Sequence, residues 1–144
     1  MRNLVRHISS LRVLILAVSA VLFISGCSEP PYTNIDNDKL KLLLAEGVPL
    51  YDIRRPEEWR DTGIVAGSQK LTFVNKKGQL NPQFFDQFLA AQKSDQPVIV
   101  ICRTGNRSGV LGTHLVEKLG FTKLYNVEHG ITQWIREGNP TTRK

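Results

Sequence analysis

Residues 97–102, PVIVIC, are apolar without a break. A strand with one face in water alternates apolar and polar residues, so an uninterrupted run of strand length belongs in a sheet covered on both sides. Such a strand needs helices above and below it, and the flanking sequence supplies them. The pattern predicts a helix over 36–47, capped at Asp36 and stopped by Gly47, with Leu40, Leu43 and Leu44 inward. A strand over 48–53 follows, then a helix over 56–63 that opens with Pro56 and places acids in its first turn. A second strand, QKLTFV (69–74), leads through a turn at 76–81 into a helix over 82–93 carrying Phe84, Phe85, Phe88 and Leu89 at helical spacing. Beyond Cys102 come a helix over 107–120 with Val110, Leu111, Leu115 and Leu119 inward, and a strand over 123–127. A last helix over 129–138 buries Ile131, Trp134 and Ile135.

Strands alternating with helices predict an α/β fold in which a central parallel sheet is covered by helices on both faces. The 144 residues suffice for one such domain. In sheets of this kind the ligand crevice lies outside the carboxyl ends of the strands, and Cys102 sits at one of those ends.

The N-terminus reads as an address. MRNLVRHISSLR is basic, VLILAVSAVLFI is apolar or small throughout, and SGC follows. These are the parts of an export signal, with an apolar stretch shorter than a membrane span. Ile24-Ser25-Gly26-Cys27 resembles the lipobox of bacterial lipoproteins, in which the cysteine is acylated and becomes the new N-terminus. That resemblance implies an export signal over 1–26, a lipidated terminus and tether over 27–34, a folded domain over 35–139 and a tail over 140–144. It places the domain in the bacterial cell envelope, held to a membrane by lipid and facing the periplasm. Ser28 after the cysteine favours the outer membrane. The first 26 residues hold three arginines and no acid, so the net charge of +6 falls to +3 without them. No basic block or aromatic-basic stripe remains to suggest nucleic acid.

The chain has two cysteines. With Cys27 lipidated, Cys102 has no intramolecular partner, which excludes a structural disulfide, a resolving-cysteine pair and a cysteine-rich zinc site. No metal and no organic cofactor are expected, because neither paired carboxylates nor a glycine-rich dinucleotide motif is present. An unpaired thiol in an oxidising compartment is a hazard unless it is buried or used.

The residues after Cys102 indicate use. Arg103, Thr104, Gly105, Asn106 and Arg107 turn a corner from strand to helix, and Ser108 follows. Gly105 allows a backbone conformation that a side chain opposes. Such a turn aims successive N–H groups at one point, and the helix adds the positive end of its dipole. Arg103 and Arg107 add full charges. All three effects favour thiolate over thiol, so the thiol is expected below the ordinary cysteine pKa of ~8.5, as a nucleophile. Cysteine phosphatases place one more residue between cysteine and arginine. The shorter ring suits a single added sulfur better than a phosphate.

CRTGNRS resembles the active loop of single-domain rhodaneses, a sulfurtransferase family. LYDIRRPEEW (50–59) and LYNVEHGITQW (124–134) resemble two further motifs of that family, in the same order. The family implies a three-layer α/β domain and a two-step cycle. Cys102 takes the outer sulfur of a donor such as thiosulfate, then yields it to cyanide or a thiol. The resemblance implies that backbone N–H groups from Arg103 to Ser108 stabilise the persulfide, and that Arg103 and Arg107 attract the donor. Arg103 is favoured for direct contact, with tying the loop to a carboxylate the alternative role for Arg107. Two competing readings are a rhodanese-like module that shelters sulfur or docks a partner without turnover, and a phosphatase or arsenate reductase. Asp52, Arg54 and Glu58 are expected to form an ion-pair set beside the loop. His114 is expected as a structural histidine, and Trp59 and Trp134 as core anchors. His129 is not read as a base, because an ionised cysteine needs none.

Overall fold

The computed structural model describes residues 29–143. The expected export signal over 1–26 and the lipidation site Cys27 lie outside the described residues. In chain order the elements are β1 (Thr33–Ile35), α1 (Asn37–Ala45), β2 (Leu50–Asp52), α2 (Pro56–Thr62), β3 (Gln69–Lys70), α3 (Phe84–Ala91), β4 (Val98–Ile101), α4 (Asn106–Leu119), β5 (Leu124–Val127) and α5 (Gly130–Arg136). The strands form one sheet in the order β1-β5-β4-β2-β3, and every pairing is parallel.

The unbroken apolar run takes the middle of this sheet, and all four residues of β4 are buried. Ile99 and Ile101 face Leu40 and Leu43 of α1 and Ile131 and Trp134 of α5. Val98, Val100 and Cys102 face Phe84 and Phe88 of α3 and Leu111 and Leu115 of α4. These are the two outer layers of a three-layer α/β domain. Each fully buried Phe or Leu contributes about 2 kcal/mol by removal from water, so the two clusters are the main source of stability. The register sets Asp52 opposite Ile101, which brings the ends of β2 and β4 level at the corner where Cys102 begins.

Two strands differ from the pattern. Thr33 and Asn34, read as tether, form edge strand β1 beside β5. QKLTFV is a strand only at Gln69–Lys70, although Leu71 and Phe73 still donate to the carbonyls of Asp52 and Ile53 at 3.1 Å each. Two side chains placed inward are outward instead, Val110 at 66% exposure and Ile135 at 41%, and Leu89 of the aromatic-rich helix is 37% exposed. For Val110 the cause is Tyr32. Its ring lies so close to α4 that a Cβ on Gly112 would come within 2.8 Å of it, and one on Gly109 within 2.6 Å of its hydroxyl. The glycines therefore face inward with Leu111 and Leu115, and Val110 points to solvent. His114 is also exposed rather than buried, tilted against the Phe85 ring at 5.0 Å.

Candidate active site

Cys102 follows the last residue of β4 and is 1% exposed. Four residues later α4 starts at Asn106, one position earlier than the pattern suggests. Gly105, the residue before the helix, has φ +91°, in the left-handed region that only glycine enters at little cost. A side chain there would also run into the carbonyl of Glu128. With that conformation the Gly105 N–H points at the cysteine sulfur, 3.2 Å from Sγ. Ser108 Oγ lies 3.3 Å from the same sulfur and 3.0 Å from the Gly105 carbonyl oxygen, so its single proton is offered to either acceptor, the sulfur when that is an anion. One amide, one hydroxyl and the positive end of a fourteen-residue helix thus surround Sγ.

The loop carbonyls are held on its other side. Ile131 N–H donates to the Cys102 carbonyl at 3.0 Å. Thr132 donates to the Arg103 carbonyl twice, from its N–H at 3.1 Å and its hydroxyl at 2.8 Å. The first turn of α5 therefore grips the first two residues of the loop. Gly130 makes this approach possible, since a Cβ there would stand 2.5 Å from the carbonyls of Cys102 and Arg103. Neither contact was anticipated from the sequence. Gly130, three residues past the end of the fifth strand and first in its helix, is the available signal, because a close backbone approach is one of the few reasons for glycine at a helix start.

The three residues expected as one ion-pair set divide between two sets. Asp52 and Arg54 form a buried pair, with Nε at 2.9 and 3.1 Å from the two carboxylate oxygens and Nη2 at 2.7 Å from Oδ2. Arg54 also donates to the Thr62 hydroxyl at 2.8 Å and the Gly63 carbonyl at 2.7 Å, so it ties the end of β2 to the end of α2. Glu58 gives Arg54 only its backbone carbonyl, at 3.3 Å. Its carboxylate binds Arg107 in a two-pronged pair at 2.9 and 2.5 Å and accepts the Arg55 N–H at 3.1 Å. The reason is directional: Glu58, in the first turn of α2, faces the start of α4, whereas the Arg54 fork is filled by Asp52 and the far end of α2.

Burial works hardest on the Glu58 carboxyl and pushes its pKa up. The Arg107 bond, the Arg55 N–H and the two guanidinium charges together outweigh it and hold the group below the usual glutamate range. The same hydrogen bond raises the Arg107 guanidinium further, against its own burial. Arg107 is thereby committed to the loop's architecture. Arg103 is exposed and makes no ion pair among the described residues, which leaves its charge available to a ligand. Thr104 and Asn106 are exposed on the rim, where a groove of about 630 Å³ begins between the loop, Tyr32 and His129. Trp134 is buried and donates to the Pro140 carbonyl at 2.8 Å, as an anchor should. Trp59 is only partly buried and lines a second cavity. Among the described residues no group of three or more His, Cys, Asp or Glu side chains is placed to hold a metal ion.

Comparison with known proteins matches residues 36–137 to the model of the rhodanese-like domain. The chain belongs to the rhodanese-like domain family. Among its relatives, the thiosulfate sulfurtransferase GlpE of Pseudoalteromonas translucida is 33% identical over 95 residues, 66% of this chain and 80% of that protein. Thiosulfate sulfurtransferase 16, chloroplastic, of Arabidopsis thaliana is 30% identical over 102 residues, 69% and 83% of the two chains. A rhodanese-related protein of Thermoplasma volcanium shares the fold with a TM-score of 0.59 and 25% identity, over 78% of this chain and all of that one. The matched span runs from the start of α1 to the end of α5, so it holds the rhodanese loop and both elements that grip it.

Proposed function

We propose that this protein is a rhodanese-type sulfurtransferase that carries sulfane sulfur as a persulfide on Cys102, with thiosulfate or a similar anion as donor. One observation carries the reading: Sγ lies against the Gly105 N–H and the Ser108 hydroxyl at the start of α4. Those donors suit a sulfur-centred anion, whether thiolate or persulfide. Relatives named as thiosulfate sulfurtransferases support the choice of donor.

In the first half-reaction the Cys102 thiolate attacks the outer sulfur of thiosulfate. A Cys–S bond to that sulfur forms, the S–S bond of thiosulfate breaks, and its electron pair leaves with sulfite. The negative charge moves to the terminal sulfur of the persulfide. In the second half-reaction cyanide, or a thiolate in the cell, attacks that terminal sulfur, and the electron pair returns to Cys102. No proton transfer is needed in either step. Arg103 attracts the anionic donor, and Arg107 holds the loop through Glu58. The backbone N–H groups from Arg103 to Ser108 form the ring in which the added sulfur sits.

The proposal includes location. Cys27 is the lipidation site, and acyl chains on it anchor the domain to the bacterial envelope, outer membrane favoured, on the periplasmic side. Among the described residues no helix is long and apolar enough to cross a membrane.

Intact-mass measurement after thiosulfate tests the chemistry. The protein gains one sulfur atom and Cys102→Ser gains none. Cyanide then removes the sulfur as thiocyanate. Sulfur that loads but is not released to cyanide or thiols would instead mark a storage or docking module. Hydrolysis of a chromogenic phosphate ester in place of loading would mark a phosphatase.

A further inference from the structure

A second cavity, of about 410 Å³, shares no lining residue with the active loop. Pro56 and Trp59 of α2 and Ile64 form its apolar wall, and Arg60, Lys70 and Arg143 bring three positive charges to it. The last of these is held in place by backbone pairing: Ile64 and Thr142 exchange N–H···O bonds at 2.8 Å in both directions, which lays the C-terminal segment along the cavity.

Two features set this cavity apart from an ordinary basic surface. The first is that its cations lack acids. Nearby Arg54 is paired with Asp52, Arg55 with Glu57 and Glu58, and Lys76 with Glu57. Arg60, Lys70 and Arg143 form no ion pair among the described residues. The second is the indole of Trp59. Its Nε1–H is buried and has no acceptor among the described residues, whereas Trp134 has a carbonyl at 2.8 Å. A buried donor left unpaired is destabilising, and native proteins keep few of them. The indole that carries this N–H lines the same cavity as the three cations, and cations without acid partners are complementary to an anion.

We propose that this cavity is a binding site for a phosphate group carried on a larger body. Phosphate esters bear nearly two negative charges at neutral pH and present several acceptor oxygens, which matches three cations and an N–H better than a single carboxylate does. The volume falls within the range of small-molecule sites, and the Pro56–Trp59–Ile64 wall offers a surface for the ester's body. The phosphate comes either from a soluble monoester or from an anionic lipid headgroup, and the two are separable by experiment.

The test uses the full chain, labelled with nitrogen-15, in nanodiscs of phosphatidylcholine. The indole resonance missing from Trp59→Phe identifies Trp59. Titration with inorganic phosphate and then phenyl phosphate moves that resonance and leaves Trp134 in place. Phenyl phosphate binds about tenfold more weakly to Trp59→Phe, and by a further factor of about ten or more to Arg60→Gln/Arg143→Gln. If the source is lipid, nanodiscs containing phosphatidylglycerol shift Trp59 before any titrant and weaken phenyl phosphate binding by competition. If it is a soluble ester, phosphatidylglycerol changes neither. Persulfide formation with thiosulfate is retained in these variants and reports that they are folded. The proposal is overturned if Trp59 moves with none of the three probes, or if Arg60→Gln/Arg143→Gln binds phenyl phosphate as tightly as the unaltered chain.

Discussion

Two arginines near the cysteine corner are both paired with carboxylates, and they serve different ends. The side chains of Arg54 and Asp52 are 1% and 0% exposed, and the guanidinium fork is filled by partners from β2 and α2. The side chains of Arg107 and Glu58 are 24% and 11% exposed, and their pair joins the active loop's helix to α2. Neither arginine has a free fork for substrate. The first pair is part of the fold, since removing either partner strands a charge without water. The second sets the loop's shape, and water screens enough of it for the fold to survive its loss.

Arg54→Ala is the strongest way to break this contrast. It leaves Asp52 buried and unpaired, and it is expected to destabilise the domain by about 3–5 kcal/mol in urea unfolding, with sulfur loading per folded molecule little changed. Glu58→Gln reverses the pattern. Stability falls by only about 1 kcal/mol, while the rate of persulfide formation followed by mass drops about tenfold because the loop loses its tie.

Acidification sharpens the comparison. The Glu58 carboxyl titrates lower in the folded protein than in the unfolded chain, so the unfolded state binds more protons as pH falls. The stability it contributes is complete above the unfolded value, about pH 4.3, and is lost as pH falls towards the folded one. Unfolding midpoints measured down this range should show less acid dependence in Glu58→Gln than in the unaltered protein. The smallest effect belongs to Arg103→Gln. Stability moves by less than about 0.5 kcal/mol, as for an exposed side chain, while the KM for thiosulfate rises and its salt dependence weakens.

The sheet was legible because PVIVIC can only be a covered strand, and the cysteine corner because few sequences combine a buried strand end with a glycine-bearing basic turn. What escaped notice depends on neighbours distant in sequence. β1 sits at the sheet edge and buries only Ile35, so Thr33 and Asn34 carry no apolar signal. Val110 occupies a position that helical periodicity would bury, and only the ring of Tyr32 on Gly109 and Gly112 explains its exposure. The choice of Arg107 over Arg54 as partner of Glu58 spans 49 positions and is fixed by where two helices meet. Local pattern registers charge and spacing; it does not register which of two arginines is already occupied.

The grip of α5 on the carbonyls of Cys102 and Arg103 has a consequence for turnover. Donor and acceptor visit the same sulfur in succession, and the atoms around it are fastened to the scaffold by Ile131, Thr132 and the glycine at 130. Arrival and departure of a sulfur atom can then proceed without rebuilding the cradle between visits. The ordering was completed when the chain folded, and each cycle begins from a ready-made geometry.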